Sequence, residues 1–323
     1  MNEEQFKPII RQWFEHSGFR VTDIPTDETQ TPDFHITKDC EGYALELKIK
    51  GDDPDELAED SAVLQSGQIL ERSIPLSPRN RLGTIIREGY GQIKTWDPQS
   101  QYFHVLWVHC TGRDAIHLRD RFRRTIFGQQ GLFSTDQPDK TEAFYFRESS
   151  FWRHRNGLDG ILLSLFEGSN FSLQLCVNTV SLREAAFRKS HLFDLHKNGL
   201  YDPRALERDS GVLIADCDLA RDDESAILAF LREKYSLEHL QTWACTKLLF
   251  GTLTKTEGRA CRKGRDGERW TAHDFPRSRK CRDRVSRTRA GDFLGDGAAG
   301  AGEELRIPAG AAGDGGGGGG GAE

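Results

Sequence analysis

The sequence predicts an α/β fold in which a sheet is flanked by helices. Three observations lead to this prediction: apolar residues recur at helical spacing near the N-terminus, apolar and polar residues alternate over 42–50, and residues with strong β propensity fill 102–110. The chain has 323 residues with 37% apolar content, which is enough for a buried core.

The first predicted element is a helix close to the N-terminus. Its apolar residues recur three and four positions apart and would line one helix face: Phe6, Ile9, Ile10, Trp13 and Phe14. Pro8 falls in the first turns, where a missing N–H costs least, and Gly18 is a suitable residue to end the helix.

Three short strands are predicted next, over 19–25, 33–37 and 42–50. The residues between the last two are turn-like, so these strands should form a hairpin. A long connection follows, and six of its first ten residues, 51–60, are acidic. Connections of this length are often functional or mobile. The acidic run could shield a neighbouring site, add a ligand to it, or be an ordinary solvated loop.

A second helix is predicted over 79–96, where apolar residues recur at helical spacing although Gly89 and Gly91 interrupt the pattern. The strand over 102–110 then completes the order α-β-β-β-α-β. We therefore assign residues 1–111 to one core.

The rest of the chain divides in two. Residues 112–254 are predicted to form an accessory α/β region packed on the core, with helices over 113–128, 182–199 and 222–250 and strands over 142–148, 160–166, 171–178 and 211–217. Residues 255–323 lose all periodicity, are first basic and then Gly-rich, and are predicted to be a disordered tail.

Charge and cysteine content narrow the class of protein. The net charge of −6 argues against a protein that coats nucleic acid or anionic membrane, although residues 255–290 alone carry 13 basic and 5 acidic side chains. The seven cysteines are scattered and form no C-x-x-C pair, which indicates reduced thiols and offers no zinc site. The chain shows neither a leader pattern nor an apolar run of membrane-spanning length, so we expect a soluble, cytoplasmic protein.

The predicted hairpin concentrates polar side chains. In a strand, residues two apart face the same side, so Glu46 and Lys48 project together while the intervening apolar residues face the core. Asp33 opens the partner strand and can reach the same edge. Two converging carboxylates repel each other unless a cation lies between them, and oxygen ligands suit Mg²⁺ or Mn²⁺. A neighbouring ammonium can orient a water or stabilise charge on a phosphate.

Pro32-Asp33 followed by Glu46-Leu47-Lys48 resembles the motif of the PD-(D/E)xK superfamily, the restriction-endonuclease-like nucleases. The resemblance implies a restriction-endonuclease-like αβββαβ core with a mixed central sheet flanked by helices. It implies that Asp33 and Glu46 are metal ligands, that Lys48 positions or activates the attacking water, and that the Leu47 carbonyl is a further ligand. It covers about a third of the chain.

Two further positions of the superfamily pattern are matched less well. Some members carry a metal-binding glutamate on the first helix, but here Lys7 lies near the expected position, which leaves Glu4 or Glu15 as candidates. Some members place a glutamine or lysine of the second helix near the site, and Gln92 or Lys94 can fill that place. We assign Glu15 to the predicted metal ligands and Gln92 to the predicted catalytic residues.

Arginines of the accessory region are candidates for DNA contacts. Arg119, Arg123 and Arg124 cluster on one predicted helix, and Arg153 and Arg155 lie beside Phe151 and Trp152. They would bind phosphates beside an aromatic stacking surface. The alternative is a solvated helix face and a polar loop. His191, Asp194 and His196 also invite a metal-site interpretation, but the two histidines are five residues apart and would not meet on one helix face.

These features together predict a Mg²⁺-dependent (or Mn²⁺-dependent) nuclease that hydrolyses phosphodiester bonds in DNA, as an endonuclease or an exonuclease. The resemblance also allows a homodimer that cuts both strands. Two alternatives stay open: a catalytically inactive nuclease-fold protein that binds nucleic acid or serves in assembly, and a globular protein whose hairpin charges are accidental.

Overall fold

A seven-stranded mixed sheet flanked by helices dominates the computed structural model, which describes residues 2–25, 31–75, 80–135, 142–168, 170–243 and 246–251. The predicted mixed α/β class is therefore confirmed. The predicted disordered tail, 255–323, lies outside the described residues.

The first third of the chain follows the predicted order, with two additional elements. It comprises α1 (Glu3–His16), β1 (Arg20–Asp23), β2 (Phe34–Lys38), β3 (Glu41–Lys50), α2 (Pro54–Gln65), β4 (Leu70–Pro75), α3 (Asn80–Trp96) and β5 (Phe103–Cys110). The acidic connection after β3 was predicted as a loop, and this was wrong. Asp53 caps α2 by accepting a hydrogen bond from the Asp55 N–H, and Pro54 occupies the first helical position.

The remaining elements are shorter on average. They are α4 (Ala115–Phe127), β6 (Gln130–Ser134), β7 (Glu142–Phe144), α5 (Ser150–Arg153), β8 (Leu158–Glu167), β9 (Asn170–Val177), α6 (Glu184–Phe187), α7 (His191–Leu195), a 3₁₀ turn (Lys197–Gly199), β10 (Leu200–Tyr201), α8 (Pro203–Ser210), β11 (Leu213–Ile214), α9 (Glu224–Tyr235), β12 (Leu240–Trp243) and β13 (Thr246–Gly251).

The large sheet has the strand order β1-β2-β3-β5-β8-β9-β10. Strands β3, β5 and β8 run parallel, whereas β1, β2 and β3 form an antiparallel meander. The sheet does not end at residue 111, because β8 pairs with β5 along most of its length. The predicted boundary between core and accessory region thus cuts through one continuous sheet. Strands β11, β7, β6 and β12 form a second sheet, and β4 pairs with β13.

Two long helices were predicted wrongly. The segment 182–199 is broken into α6, α7 and the 3₁₀ turn, because the Ser190 side chain caps a new helix by accepting the Phe193 N–H. In 222–250, the helix ends at Tyr235, where Ser236 adopts a left-handed conformation with φ of 52°. The chain beyond it pairs with β6 as β12, and sheet pairing overrides the apolar helical spacing.

The two faces of the sheet build two apolar cores. One face packs against α1 and includes Phe6, Leu47 and Trp107, and the other packs against α3 and α4 and includes Ile86 and Leu106. The alternation of β3 therefore sends Glu46 and Lys48 to the face covered by α3. Among the described residues, no helix combines the length and the hydropathy needed to cross a membrane.

Helix α3 packs closely against the sheet at Gly89. A Cβ built on Gly89 would lie 2.5 Å from Leu106 Cδ1 and 3.4 Å from Glu46 Cγ, whereas a Cβ on Gly91 would meet nothing within 4 Å. We expect Gly89→Ala to lower the free energy of unfolding by about 1–3 kcal/mol through overpacking. Gly91→Ala, the matched control, should raise it by about 1 kcal/mol through helix propensity. Urea unfolding measures both, and equal effects at the two positions would contradict the packing described.

Two buried histidines should make the fold sensitive to acid. Burial lowers the pKa of His109 and of His196 to about 4. The unfolded chain, with histidine pKa values near 6.5, then binds protons between pH 6.5 and 4 that the folded chain does not bind. The stability that comes from keeping these two histidines neutral should be fully present above about pH 6.5. It should fall by roughly 2 kcal/mol per histidine at about pH 4.5. Urea midpoints at the two pH values test this, and His196→Gln should reduce the loss. A change in midpoint between the two pH values that is the same in the wild type and in His196→Gln would contradict it.

Candidate metal centre

The register of β2 and β3 brings Asp33 and Glu46 together. Phe34 pairs with Leu45, so Asp33, which directly precedes β2, lies opposite Glu46. The Asp33 N–H donates to Glu46 Oε2 at 3.1 Å, and the Leu47 N–H donates to Asp33 Oδ2 at 2.8 Å. The two predicted carboxylate ligands are therefore immediate neighbours.

Pro32 explains why the Leu47 carbonyl is suited to bind a cation. In an antiparallel ladder, the N–H and C=O of one residue point to the same partner strand, so the Leu47 carbonyl points to the side from which Asp33 approaches. By register, its ladder partner would be Pro32, which has no N–H to donate. Pro32 therefore supplies no backbone hydrogen bond to the Leu47 carbonyl. The Leu47 N–H donates to the Asp33 side chain instead.

Lys48 completes the cluster on the same face of β3. Its ammonium donates to Glu46 Oε1 at 2.5 Å. The Glu46 side chain is 3% exposed and the Lys48 side chain 21%, so the carboxylate is enclosed while the ammonium reaches solvent. Gly89 of α3 packs over both side chains, because a Cβ at this position would lie 3.4 Å from Glu46 Cγ and 3.6 Å from Lys48 Cε.

The electrostatics of Glu46 favour a nearby cation. Burial, followed by the negative charge of Asp33, raises the pKa of Glu46 to about 8, although Lys48 counteracts both. Two neighbouring carboxylates and a backbone carbonyl are hard oxygen donors, which suit Mg²⁺ or Mn²⁺. The residues present therefore fit a single divalent ion. The described part of the chain contains no cluster of three His, Cys, Asp or Glu residues with metal-ligand geometry.

Helix α1 contributes a cation to the site, where the superfamily pattern led us to look for an acid. The Lys7 ammonium lies 3.0 Å from Asp33 Oδ1 and 2.7 Å from Glu4 Oε1. Although burial opposes it, hydrogen bonds to Glu4 and Asp33 raise the pKa of Lys7 above its usual value. Lys7 therefore stays protonated and forms a salt bridge with Asp33.

Glu15 was assigned as a metal ligand, and the structure places it elsewhere. It lies eight residues beyond Lys7 on α1, about 12 Å along the helix axis. Its carboxylate is 3.5 Å from the Arg11 guanidinium, which also pairs with Asp23 of β1. Glu15 belongs to this second ion-pair group at the other end of α1.

Gln92 is one turn beyond Gly89 on α3, and its buried Oε1 has no hydrogen-bond partner among the described residues.

His35 was missed by the sequence analysis. It lies two residues after Asp33 on β2, its buried Nε2 also lacks a partner in the described part, and burial lowers its pKa. The strand alternation that placed Glu46 could have identified His35. Lys94, the alternative to Gln92 on α3, donates to the Pro98 carbonyl and to the Ser100 hydroxyl.

The predicted DNA-contacting arginines all have partners within the protein. Arg119 donates to Ser172, Arg123 pairs with Asp120, and Arg124 pairs with Glu142. Arg153 pairs with Glu148 and Arg155 with Asp218. Their role in DNA binding stays a prediction.

Two arginines of the protein itself lie over the Trp152 ring, and base stacking at this residue stays a prediction. The guanidinium groups of Arg155 and Arg221 lie 4.7 Å and 3.8 Å from the centre of the Trp152 ring, beside an open cleft of about 430 Å³. His191 and His196, which the spacing predicts not to share a metal, have separate partners: His191 pairs with Asp39, and His196 Nδ1 lies 2.8 Å from the Leu192 carbonyl.

The arrangement as a whole can bind one hard cation and hold an ammonium beside it. Asp33, Glu46 and the Leu47 carbonyl supply oxygen atoms, and Lys48 supplies hydrogen-bond donors that reach solvent. This combination is suited to a reaction in which water attacks a phosphoryl group. No protein-family model, curated protein or solved structure matches the chain.

Proposed function

We propose that the protein is a metal-dependent nuclease that hydrolyses phosphodiester bonds in DNA. The single observation that carries the proposal is the convergence of Asp33, Glu46 and Lys48 on one edge of the sheet, at hydrogen-bond distances. The order α1-β1-β2-β3-α3-β5 around that edge supports a restriction-endonuclease-like core, with β8, β9 and β10 as an extension of its sheet.

Each residue has a distinct role in this proposal. Asp33 and Glu46 would hold Mg²⁺ together with the Leu47 carbonyl. When bound, the ion would neutralise charge that develops on the phosphate in the transition state. The Lys48 ammonium has three N–H donors, of which Glu46 accepts one. The others can orient the attacking water or bind a phosphate oxygen. Glu46 thereby fixes the position of Lys48.

Cleavage of DNA by the purified full chain tests the proposal. The protein is incubated with supercoiled plasmid and with single-stranded DNA, in Mg²⁺, in Mn²⁺ and in EDTA. We expect nicked, linear or shortened products in either metal and none in EDTA. Both substrates are needed because the cluster does not distinguish endonuclease from exonuclease action. Intact DNA under all these conditions would count against the enzyme.

One observation favours a second candidate, a catalytically inactive protein that uses the same fold to bind nucleic acid. Lys7 pairs with Asp33 and Lys48 pairs with Glu46, so each of the two carboxyl groups already has an ammonium partner. A site of this kind can be stable without a metal. Retention of DNA in a mobility-shift assay, unchanged in Asp33→Asn and without cleavage in any metal, would support this candidate.

A further inference from the structure

Lys7 reaches across from α1 to a carboxylate that the proposed function assigns to a metal ion. Its ammonium is 3.0 Å from Asp33 Oδ1, while Asp33 Oδ2 accepts the Leu47 N–H. Both oxygens of Asp33 therefore already have a partner, and one of these partners carries a full positive charge. A divalent ion that binds Asp33 must share it with Lys7 or displace Lys7 from it.

Glu4 gives the ammonium a second partner, which is exposed to solvent. The Lys7–Glu4 contact is 2.7 Å, and the Glu4 side chain is 78% exposed. The Lys7 ammonium can thus move toward solvent and keep a salt bridge when a cation approaches Asp33. A buried ammonium without such a partner would instead be held at Asp33, because burial of an unpaired charge is costly.

We propose that Lys7 is a resident cation of the metal centre: it takes the place of a second divalent ion and weakens the binding of the first. This inference rests on the proposed function, because it assumes that Asp33 and Glu46 bind a metal. Lys7 is a positioning residue in this account, and its action is electrostatic. At separations near 4 Å, repulsion between an ammonium and a divalent ion is substantial even with strong screening.

Mn²⁺ binding without DNA tests the inference independently of catalysis. The full chain is titrated with Mn²⁺, and the electron paramagnetic resonance signal of the free ion reports stoichiometry and affinity. We expect one Mn²⁺ per wild-type chain. Lys7→Met keeps the length of the side chain and removes its charge, so it should tighten binding by about ten-fold or more. Lys7→Glu should admit a second Mn²⁺.

Arg11→Met is the matched control. Arg11 lies one turn further along α1, its side chain is exposed to a similar extent, and it contacts Glu15 and Asp23 instead of Asp33. Its replacement removes the same charge from the same helix, so a change below about two-fold is expected if solvent screens a charge that does not touch the site. Equal tightening by Lys7→Met and Arg11→Met would overturn the inference, as would two Mn²⁺ per wild-type chain.

Asp33→Asn separates the failure of the inference from the failure of the proposed function. Mn²⁺ binding that Asp33→Asn weakens but Lys7→Met leaves unchanged would overturn the role of Lys7 alone. If Asp33→Asn does not affect Mn²⁺ binding, or if no variant binds Mn²⁺, then both the proposed metal centre and the inference about Lys7 are wrong. Because Lys7 is partly exposed, Lys7→Gln serves as a second variant if Lys7→Met does not fold, with the same expected direction.

Discussion

Lys48→Ala should reduce Mg²⁺-dependent DNA cleavage on the order of a thousand-fold, because it removes the ammonium that would orient water or stabilise charge on the phosphate. The substitution also leaves Glu46 without its ammonium partner in an enclosed position. The fold should persist, since Lys48 reaches solvent. Initial rates of plasmid and single-strand cleavage measure the loss, and circular dichroism checks the fold. Asp33→Asn should cause a comparable loss by removing a metal ligand.

Lys50→Ala provides the control for Lys48. Lys50 lies two residues further along β3 and therefore projects from the same face, but it is beyond the carboxylate pair. We expect its replacement to change the cleavage rate by less than about three-fold through surface charge alone. Equal losses at Lys48 and Lys50 would indicate a general contribution of positive charge to DNA binding. Full activity of Lys48→Ala would exclude the assigned role.

Arg183→Met should destabilise the protein by about 3–5 kcal/mol, because it leaves a buried carboxylate without its cation. The Asp159 side chain is fully buried, and burial raises its pKa to about 6 even with Arg183 beside it. Arg183 donates from its Nε to Asp159 Oδ1 at 3.1 Å and also binds the carbonyls of Ser100, Tyr102 and Gly157 at 2.7–2.9 Å. One side chain thus joins the start of β5, the start of β8 and the segment that follows β9. Urea unfolding measures the loss.

An exposed ion pair is the appropriate comparison. The Arg153 and Glu148 side chains are 46% and 68% exposed, so Arg153→Met should cost less than about 1 kcal/mol. Arg183→Met combined with Asp159→Asn should cost less than the sum of the single changes, because the charge left unpaired is then also removed. A loss below about 1 kcal/mol for Arg183→Met alone would contradict the role of this network.

The elements around the candidate site were the most predictable part of the chain. Alternation over 42–50 fixed which face of β3 carries Glu46 and Lys48, and the short turn before it set the hairpin register that brings Asp33 opposite Glu46. Both are local patterns of period two. Pro32 contributes through a missing N–H, which is a property of the residue type and can be read without coordinates.

Other features depend on contacts that are distant along the chain. The pairing of β8 with β5 and the pairing of 240–243 with β6 join segments separated by up to about a hundred residues, and apolar periodicity alone does not encode such partners. Gly89 was interpreted as a weakness of the second helix, yet it permits the close approach of α3 to Glu46. Lys7 was noted as a departure from the superfamily pattern, but its contact with Asp33 could be seen only in three dimensions.

The central claim is that Asp33 and Glu46 together hold one divalent ion. Anomalous diffraction from crystals soaked in Mn²⁺ tests it most directly, because the signal locates the metal without reference to activity. The account predicts one peak per chain, about 2.1 Å from a carboxylate oxygen of each residue. A peak bound to other side chains, or crystals that bind no Mn²⁺ at concentrations that saturate a known Mg²⁺-dependent nuclease, would contradict it.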